Sequence, residues 1–207
     1  GDDHLRRARC FLEAGVPTYV DKPFAGRYRD AATLVELAQR CNAPMMTSSS
    51  LRYSEDFNSF LRRLPALGKT NGAIAWGPAK RHPGNPGLLH YAIHAVETLY
   101  TILGPGCEEV ATIWSEQSEV VTGRWSDGRL GTVRGLRTGS TAYGATVFCD
   151  GGIVSAPICA RFAYRNLCRA MLETFTTGKP GVPHETSLEI MRFAFAAREC
   201  EQHGGRP

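Results

Sequence analysis

No apolar run in this 207-residue chain approaches the roughly 20 residues that a membrane-spanning helix needs, so no membrane partner is expected. A block of basic residues is missing too. The 24 lysines and arginines are interleaved with 20 acids for a net charge of +4, which offers nucleic acid no basic stripe and predicts no such partner. No C-x-x-C pair occurs among the seven cysteines, Cys10, Cys41, Cys107, Cys149, Cys159, Cys168 and Cys200. An odd count without paired spacing predicts reduced thiols, mostly packed as small apolar groups, in a reducing compartment. The chain opens at Gly1 in helix-like sequence with no signal peptide in view, and a cytoplasmic location is expected. Lysine is scarce: four stand against 20 arginines, so the placing of each one is informative.

What is present is an ordinary globular balance, 43% hydrophobic and 21% charged, in a chain long enough for one large or two small domains. The stretch Val16 to Phe24 reads V-P-T-Y-V-D-K-P-F. Tyr19 and Val20 suit a short buried strand, and Pro23, with no N–H to give a ladder, ends it. Asp21 and Lys22 thus stand at the carboxyl end of a strand, where open α/β sheets place their ligands.

Around this strand the spacing of apolar residues predicts a helix from His4 to Ala14, stopped at Gly15. A second runs from Ala31 to Asn42 with Asp30 as its cap, and a second strand spans Met45 to Ser48. Helix, strand, helix, strand is the rhythm of a parallel α/β sheet. A helix is expected from Ser54 to Leu64, a strand from Gly72 to Ala79, then a Pro/Gly loop and a helix from Leu88 to Leu103. From Glu108 to Pro157 the period falls to two, with turns at Ser126-Asp127-Gly128, Thr138-Gly139-Ser140 and Asp150-Gly151-Gly152, which predicts an antiparallel meander. Gly131, Val133 and Gly135 alternate onto one flat face, open to a helix or a second subunit. Two helices close the chain, Phe162 to Thr177 and one opened by a capping box at Thr186-Ser187-Leu188-Glu189.

Two stretches could carry chemistry. His90, His94 and Glu97 have the spacings of four and three that share one helical face, and a histidine can exchange a proton near neutral pH. The same three residues could instead ligate a metal, although Tyr91 stands where the H-E-x-x-H signature has its glutamate. The Ser48-Ser49-Ser50 turn either satisfies local backbone groups or lines a site opposite Lys22, with Arg52 reaching an anionic or hydroxylated ligand. Asp127 and Arg129 in W-S-D-G-R read as turn chemistry, and His184 as the start of the last helix.

With D-K-P after one strand, S-S-S-L-R-Y after the next and H-Y-A-I-H-A-V-E-T-L-Y-T-I-L-G-P-G on a helix, the sequence resembles the Gfo/Idh/MocA oxidoreductases, the family of glucose–fructose oxidoreductase and inositol 2-dehydrogenase. The likeness continues through G-R-W-S-D-G-R-L-G-T-V-R-G to T-G-K-P-G-V-P-H-E-T-S-L-E-I and so spans nearly the whole chain. It implies an α/β chain: the remnant of a Rossmann domain at residues 1–50, and at 51–207 an α+β domain with a large, mainly antiparallel open sheet for substrate and oligomerisation. The implied activity is oxidation or reduction of a hydroxyl or carbonyl of a sugar, cyclitol or related compound with NAD or NADP. In such a site Lys22 and His94 are catalytic. Asp21, Lys22 and Pro23 adjoin the cofactor. His90, Arg52, Tyr53 and Glu97 contact the substrate, and no metal is called for.

Two departures stand out. His90 occupies the place of the family's usual aspartate, and no G-x-G-x-x-G or acidic ribose-binding residue precedes Lys22, so the chain reads as lacking the first half of its cofactor domain and the pyrophosphate-binding loop. A homo-oligomer formed through the open sheet face is expected. Two other readings remain: a cofactor-free sugar-binding or assembly protein of the same fold, and a metal-dependent hydrolase or epimerase using His90, His94 and Glu97.

Overall fold

The computed structural model describes residues 1–205. The chain begins with helix α1 (His4–Glu13), strand β1 (Thr18–Tyr19), helix α2 (Tyr28–Arg40) and strand β2 (Met45–Met46). β1 and β2 pair in parallel, Thr18 opposite Met45 and Tyr19 opposite Met46. α1 buries Ala8 and Leu12, whereas Phe11 is exposed. Asp30 does not cap α2: the helix starts three residues earlier than expected, behind Arg27, and Asp30 lies in its first turn, where a carboxylate still suits the helix dipole.

After β2 the chain makes a 3-10 turn (Ser50–Tyr53) and helix α3 (Glu55–Leu61), capped by Ser54, whose Oγ accepts the Phe57 N–H at 3.2 Å. Strand β3 (Thr70–Pro78) leads through a 3-10 turn (Gly87–Leu89) to helix α4 (Ile93–Leu103). Strands β4 (Cys107–Trp114), β5 (Ser118–Trp125), β6 (Leu130–Leu136), β7 (Tyr143–Cys149) and β8 (Gly152–Ile158) follow, then helices α5 (Ala163–Thr177) and α6 (His184–Gln202).

The large sheet has the order β4-β5-β6-β3-β7-β8. It is not the plain meander that the sequence suggests. β3 inserts between β6 and β7, parallel to the first and antiparallel to the second. Nothing local foretells this, because β3 and β6 lie more than fifty residues apart and the turn residues report only neighbouring strands. Register sorts the sheet into two faces. Thr112, Val121, Val133, Ala75, Ala145 and Ala156 form one row of the covered face, on which α4 packs, with α6 against β4. Ala111, Thr122, Thr132, Ile74, Thr146 and Ser155 form a row of the opposite face.

The glycine face is therefore the covered one, and the expected open surface lies on the other side. A Cβ at Gly131 would come within 2.6 Å of Leu103 Cδ1 and 2.7 Å of Trp125, so glycine is what lets α4 approach the sheet. The bare face carries Ile113, 77% exposed, and Ile153, 67% exposed. A buried apolar cluster runs from Ala8 and Leu12 through α4 to Ala194 and Ala197.

Other expectations meet local differences. The capping box is not formed: α6 starts earlier, at His184, and Glu189 instead accepts the N–H groups of Gly106 and Cys107 at 2.7 and 2.8 Å, pinning the start of β4. His184 does open that helix, its Nε2 3.0 Å from the Met45 carbonyl. Asp127 accepts the Arg129 N–H at 3.1 Å in a tight turn, as its context suggests. All seven cysteines are unpaired, but only Cys149 and Cys200 are buried, so packing does not account for most of them.

Candidate active site

α4 is buried on almost every side, including Ile93, Val96, Glu97, Leu99 and Tyr100. It lies between the large sheet and the Ser50–Tyr53 turn that follows β2. Any polar side chain on its inner faces must then find partners inside the protein. Glu97, with 0% exposure, finds them from three directions. Ser48 Oγ donates to Oε1 at 3.2 Å, and the Ser49 N–H donates to Oε2. Lys22 Nζ lies 3.5 Å from Oε1 and Arg52 Nε lies 3.9 Å from it.

Lys22 reaches this point from the carboxyl end of β1, through a Lys22–Pro23 peptide that is cis. Its side chain is 2% exposed, and its ammonium makes the ion contact with Glu97 but no hydrogen bond. Burial pushes the lysine pKa down, Glu97 draws it back up, and Arg52 pushes it further down. Two cations around one carboxylate leave the cluster short of negative charge. The unpartnered Lys22 Nζ and Arg52 Nη2 are donors that hydroxyl or carboxylate oxygens would satisfy. Asp21 stays at the surface, 3.3 Å from the Tyr19 hydroxyl, which donates to the Ser48 carbonyl at 2.8 Å.

His94 stands one turn before Glu97. Its Nδ1 lies 2.7 Å from Ser49 Oγ, and its ring meets the edge of Tyr143 at 5.8 Å between centroids. Burial lowers its pKa, so the imidazole is neutral at neutral pH; Lys22 works in the same direction, Glu97 and Asp21 against it.

Lys22, His94, Glu97 and Arg52 are thus gathered in one place. His90 is not on their helix. α4 begins only at Ile93, His90 is extended at φ −96 and ψ 116, and Tyr91 adopts a left-handed φ of 55. The spacing rule fails here because the helix does not extend back through the Pro/Gly loop. His90 stacks instead with His82, 5.0 Å between centroids, and against Tyr91 at 4.6 Å. The metal reading loses its geometry with it: no group of three His, Cys, Asp or Glu side chains among the described residues is placed to hold an ion.

Tyr53 lines a cavity of about 580 Å³ with Glu173, Thr174, Lys179 and Gly181, a lining that includes neither Lys22 nor His94. Glu97 is fully buried, and its oxygens are engaged by Lys22, Ser48 and Ser49. Sequence reasoning did not single out Tyr143, which sits at the start of an ordinary strand. Ser48 and Ser49 were visible as a polar run, but not as the link between Glu97 and His94.

At the amino-terminal end, the described residues offer no cradle for a pyrophosphate. α1 follows Asp2 and Asp3, and Asp3 is held by Arg6 at 2.9 Å and Arg7 at 3.2 Å, so acids rather than free glycine N–H groups stand at that helix start.

This arrangement is the Gfo/Idh/MocA-type oxidoreductase fold, a short parallel βα unit feeding a lysine onto a helix that lies against a mostly antiparallel sheet. Among solved structures it is similar to GenD2 from gentamicin A biosynthesis, in complex with NAD, at 17% identity and a TM-score of 0.85. That likeness covers 99% of this chain and 74% of GenD2. A myo-inositol dehydrogenase from Corynebacterium glutamicum matches at 17% identity and TM-score 0.82, covering 98% of this chain and 76% of that one. The myo-inositol 2-dehydrogenase from Lactobacillus plantarum matches at 13% identity and TM-score 0.84, covering 99% and 76%. The chain thus spans about three quarters of their length. No protein-family model and no curated protein matches the sequence. No helix among the described residues is long and apolar enough to cross a membrane.

Proposed function

We propose that this chain belongs to the Gfo/Idh/MocA family and carries the substrate side of an NAD(P)-dependent oxidoreductase that acts on a hydroxyl or carbonyl of a sugar, cyclitol or related compound. The observation that carries this reading is the convergence of Lys22, from the end of β1, and His94, from α4, on a cluster joined through Glu97 and Ser49.

The chemistry fits such a reaction. A nicotinamide coenzyme, when bound, exchanges a hydride with carbon. The carbon's oxygen gains or loses negative charge as this happens and needs both a proton partner and a nearby cation. His94 is the proton partner and hydrogen-bonds to that oxygen. Lys22 supplies the cation, held by Glu97 at the carboxyl end of the parallel strand, and with Asp21 and Pro23 it would hold the nicotinamide end of a bound coenzyme. Arg52 adds unpartnered donors for a substrate hydroxyl or carboxylate. Tyr53, next to Arg52 on the turn after β2, and His90, on the loop before α4, are proposed as further substrate contacts from outside this cluster. Residues 1–50 are the coenzyme-side domain and 51–207 the substrate domain, whose bare sheet face pairs with a second copy. A cytoplasmic protein fits the unpaired thiols.

Binding measurements on the protein encoded by the complete reading frame test this. NADH or NADPH should bind, and a hydroxylated ring compound should then be turned over. Saturable sugar binding with no coenzyme binding would favour the cofactor-free sugar-binding reading instead.

A further inference from the structure

Ser49 is fully buried at 1% exposure and makes two contacts through its hydroxyl. As cap of the 3-10 turn, Oγ accepts the Leu51 N–H at 3.2 Å. The same oxygen lies 2.7 Å from His94 Nδ1. Its backbone N–H is given to Glu97, so the residue is held from both ends.

A serine hydroxyl has one proton and two lone pairs, and one lone pair is already taken by Leu51. If His94 carried its proton on Nδ1, that N–H would take the second lone pair. The Ser49 proton would then have no acceptor, since His94 is the only one recorded for it among the described residues. A buried hydroxyl proton without a partner is left desolvated and uncompensated, which disfavours that arrangement. If Ser49 donates to Nδ1, every group is satisfied and the proton of the neutral imidazole sits on Nε2, which makes no hydrogen bond within the described residues.

We infer that Ser49 is a positioning residue whose hydroxyl donates to His94 Nδ1 and holds the neutral imidazole in its Nε2–H form, so that the free edge of the ring is a hydrogen-bond donor. This inference rests on the oxidoreductase reading for its use. In the carbonyl-reducing direction the Nε2–H would be the donor to the substrate oxygen as negative charge develops there.

The test reads the ring itself. The protein is labelled with ¹⁵N-histidine and recorded at neutral pH without coenzyme or substrate, with His94 assigned by its loss in His94→Gln. The account expects Nδ1 at the unprotonated, downfield position and Nε2 at the protonated, upfield one. Ser49→Ala should shift His94 toward the Nδ1–H form or a mixture, and Ser49→Thr, which keeps the hydroxyl, should restore the Nε2–H form. A wild-type spectrum with the proton on Nδ1 overturns the inference even if Ser49→Ala fails to fold, and so does an Ser49→Ala spectrum identical to wild type. Because no turnover is read, an inactive protein would refute the oxidoreductase reading and leave this result standing.

Discussion

Lys22 Nζ and Glu97 Oε1 lie 3.5 Å apart although their residues are 75 positions apart in the chain, and both side chains are almost entirely withdrawn from water. One comes from the end of a two-residue strand and the other from the middle of a buried helix. The pair ties the small parallel unit to the large sheet's central helix.

Removing one member of a buried pair strands the other's charge, which costs about 3–5 kcal/mol, whereas replacing both by apolar groups can be neutral. Glu97→Gln should therefore lower unfolding stability in urea by roughly that amount. Adding Lys22→Met to it should return part of the loss. An Glu97→Gln variant as stable as wild type would show that the pair does not hold the two units together.

His94 gives a pH dependence with a definite sign. Its folded pKa lies below its ordinary 6.5 because of burial, so around that pH the unfolded chain binds more protons than the folded one. The contribution is fully present above pH 6.5 and is lost as the pH falls through the lower folded value. The melting temperature of wild type should drop more steeply below pH 6.5 than that of His94→Gln, as read by calorimetry across a buffer series. Parallel curves would contradict the burial of this imidazole.

Gly131 is a packing contact rather than a flexible joint. Its missing Cβ makes room for Leu103 and Trp125, and overfilling such a site costs about 1–3 kcal/mol. Gly131→Ala should be destabilised by that amount in denaturant titration. A neutral result would mean that α4 lies farther from the sheet.

The exposed Ile113 and Ile153 on the bare sheet face suit a contact with a second copy. Light scattering should give a dimer or larger for wild type and a smaller species for Ile113→Glu combined with Ile153→Glu. A wild-type monomer at micromolar concentration would remove the oligomer from the account.

Much of this was legible in the sequence because it is local. Alternating residues marked the strands of the large sheet, and the parallel β1–β2 pair followed from two short apolar runs separated by a helix. Lys22 stood out as a scarce residue type at a strand end, and His94 by its helical spacing from Glu97. What was hidden depends on distant pairing or on where a helix starts. The insertion of β3 beside β6 has no local signature. His90 has the right spacing for α4, yet it lies outside the helix because Tyr91 takes a left-handed φ. Glu97 stood out as a possible substrate contact or metal ligand, and only the packing of α4 on several sides makes it an internal anchor. The serine run was ambiguous because serines cap turns far more often than they bridge a carboxylate to a histidine.

The central claim is that Lys22 and His94 act together on the substrate oxygen. The most direct measurement is coenzyme-coupled turnover of a cyclitol or sugar by the protein from the complete reading frame, as wild type, Lys22→Ala and His94→Ala. Each substitution should lower kcat by roughly 10²-fold or more, the range for losing a general acid–base, with binding of the reduced coenzyme retained by His94→Ala. Turnover within a few fold of wild type in both variants would contradict the account.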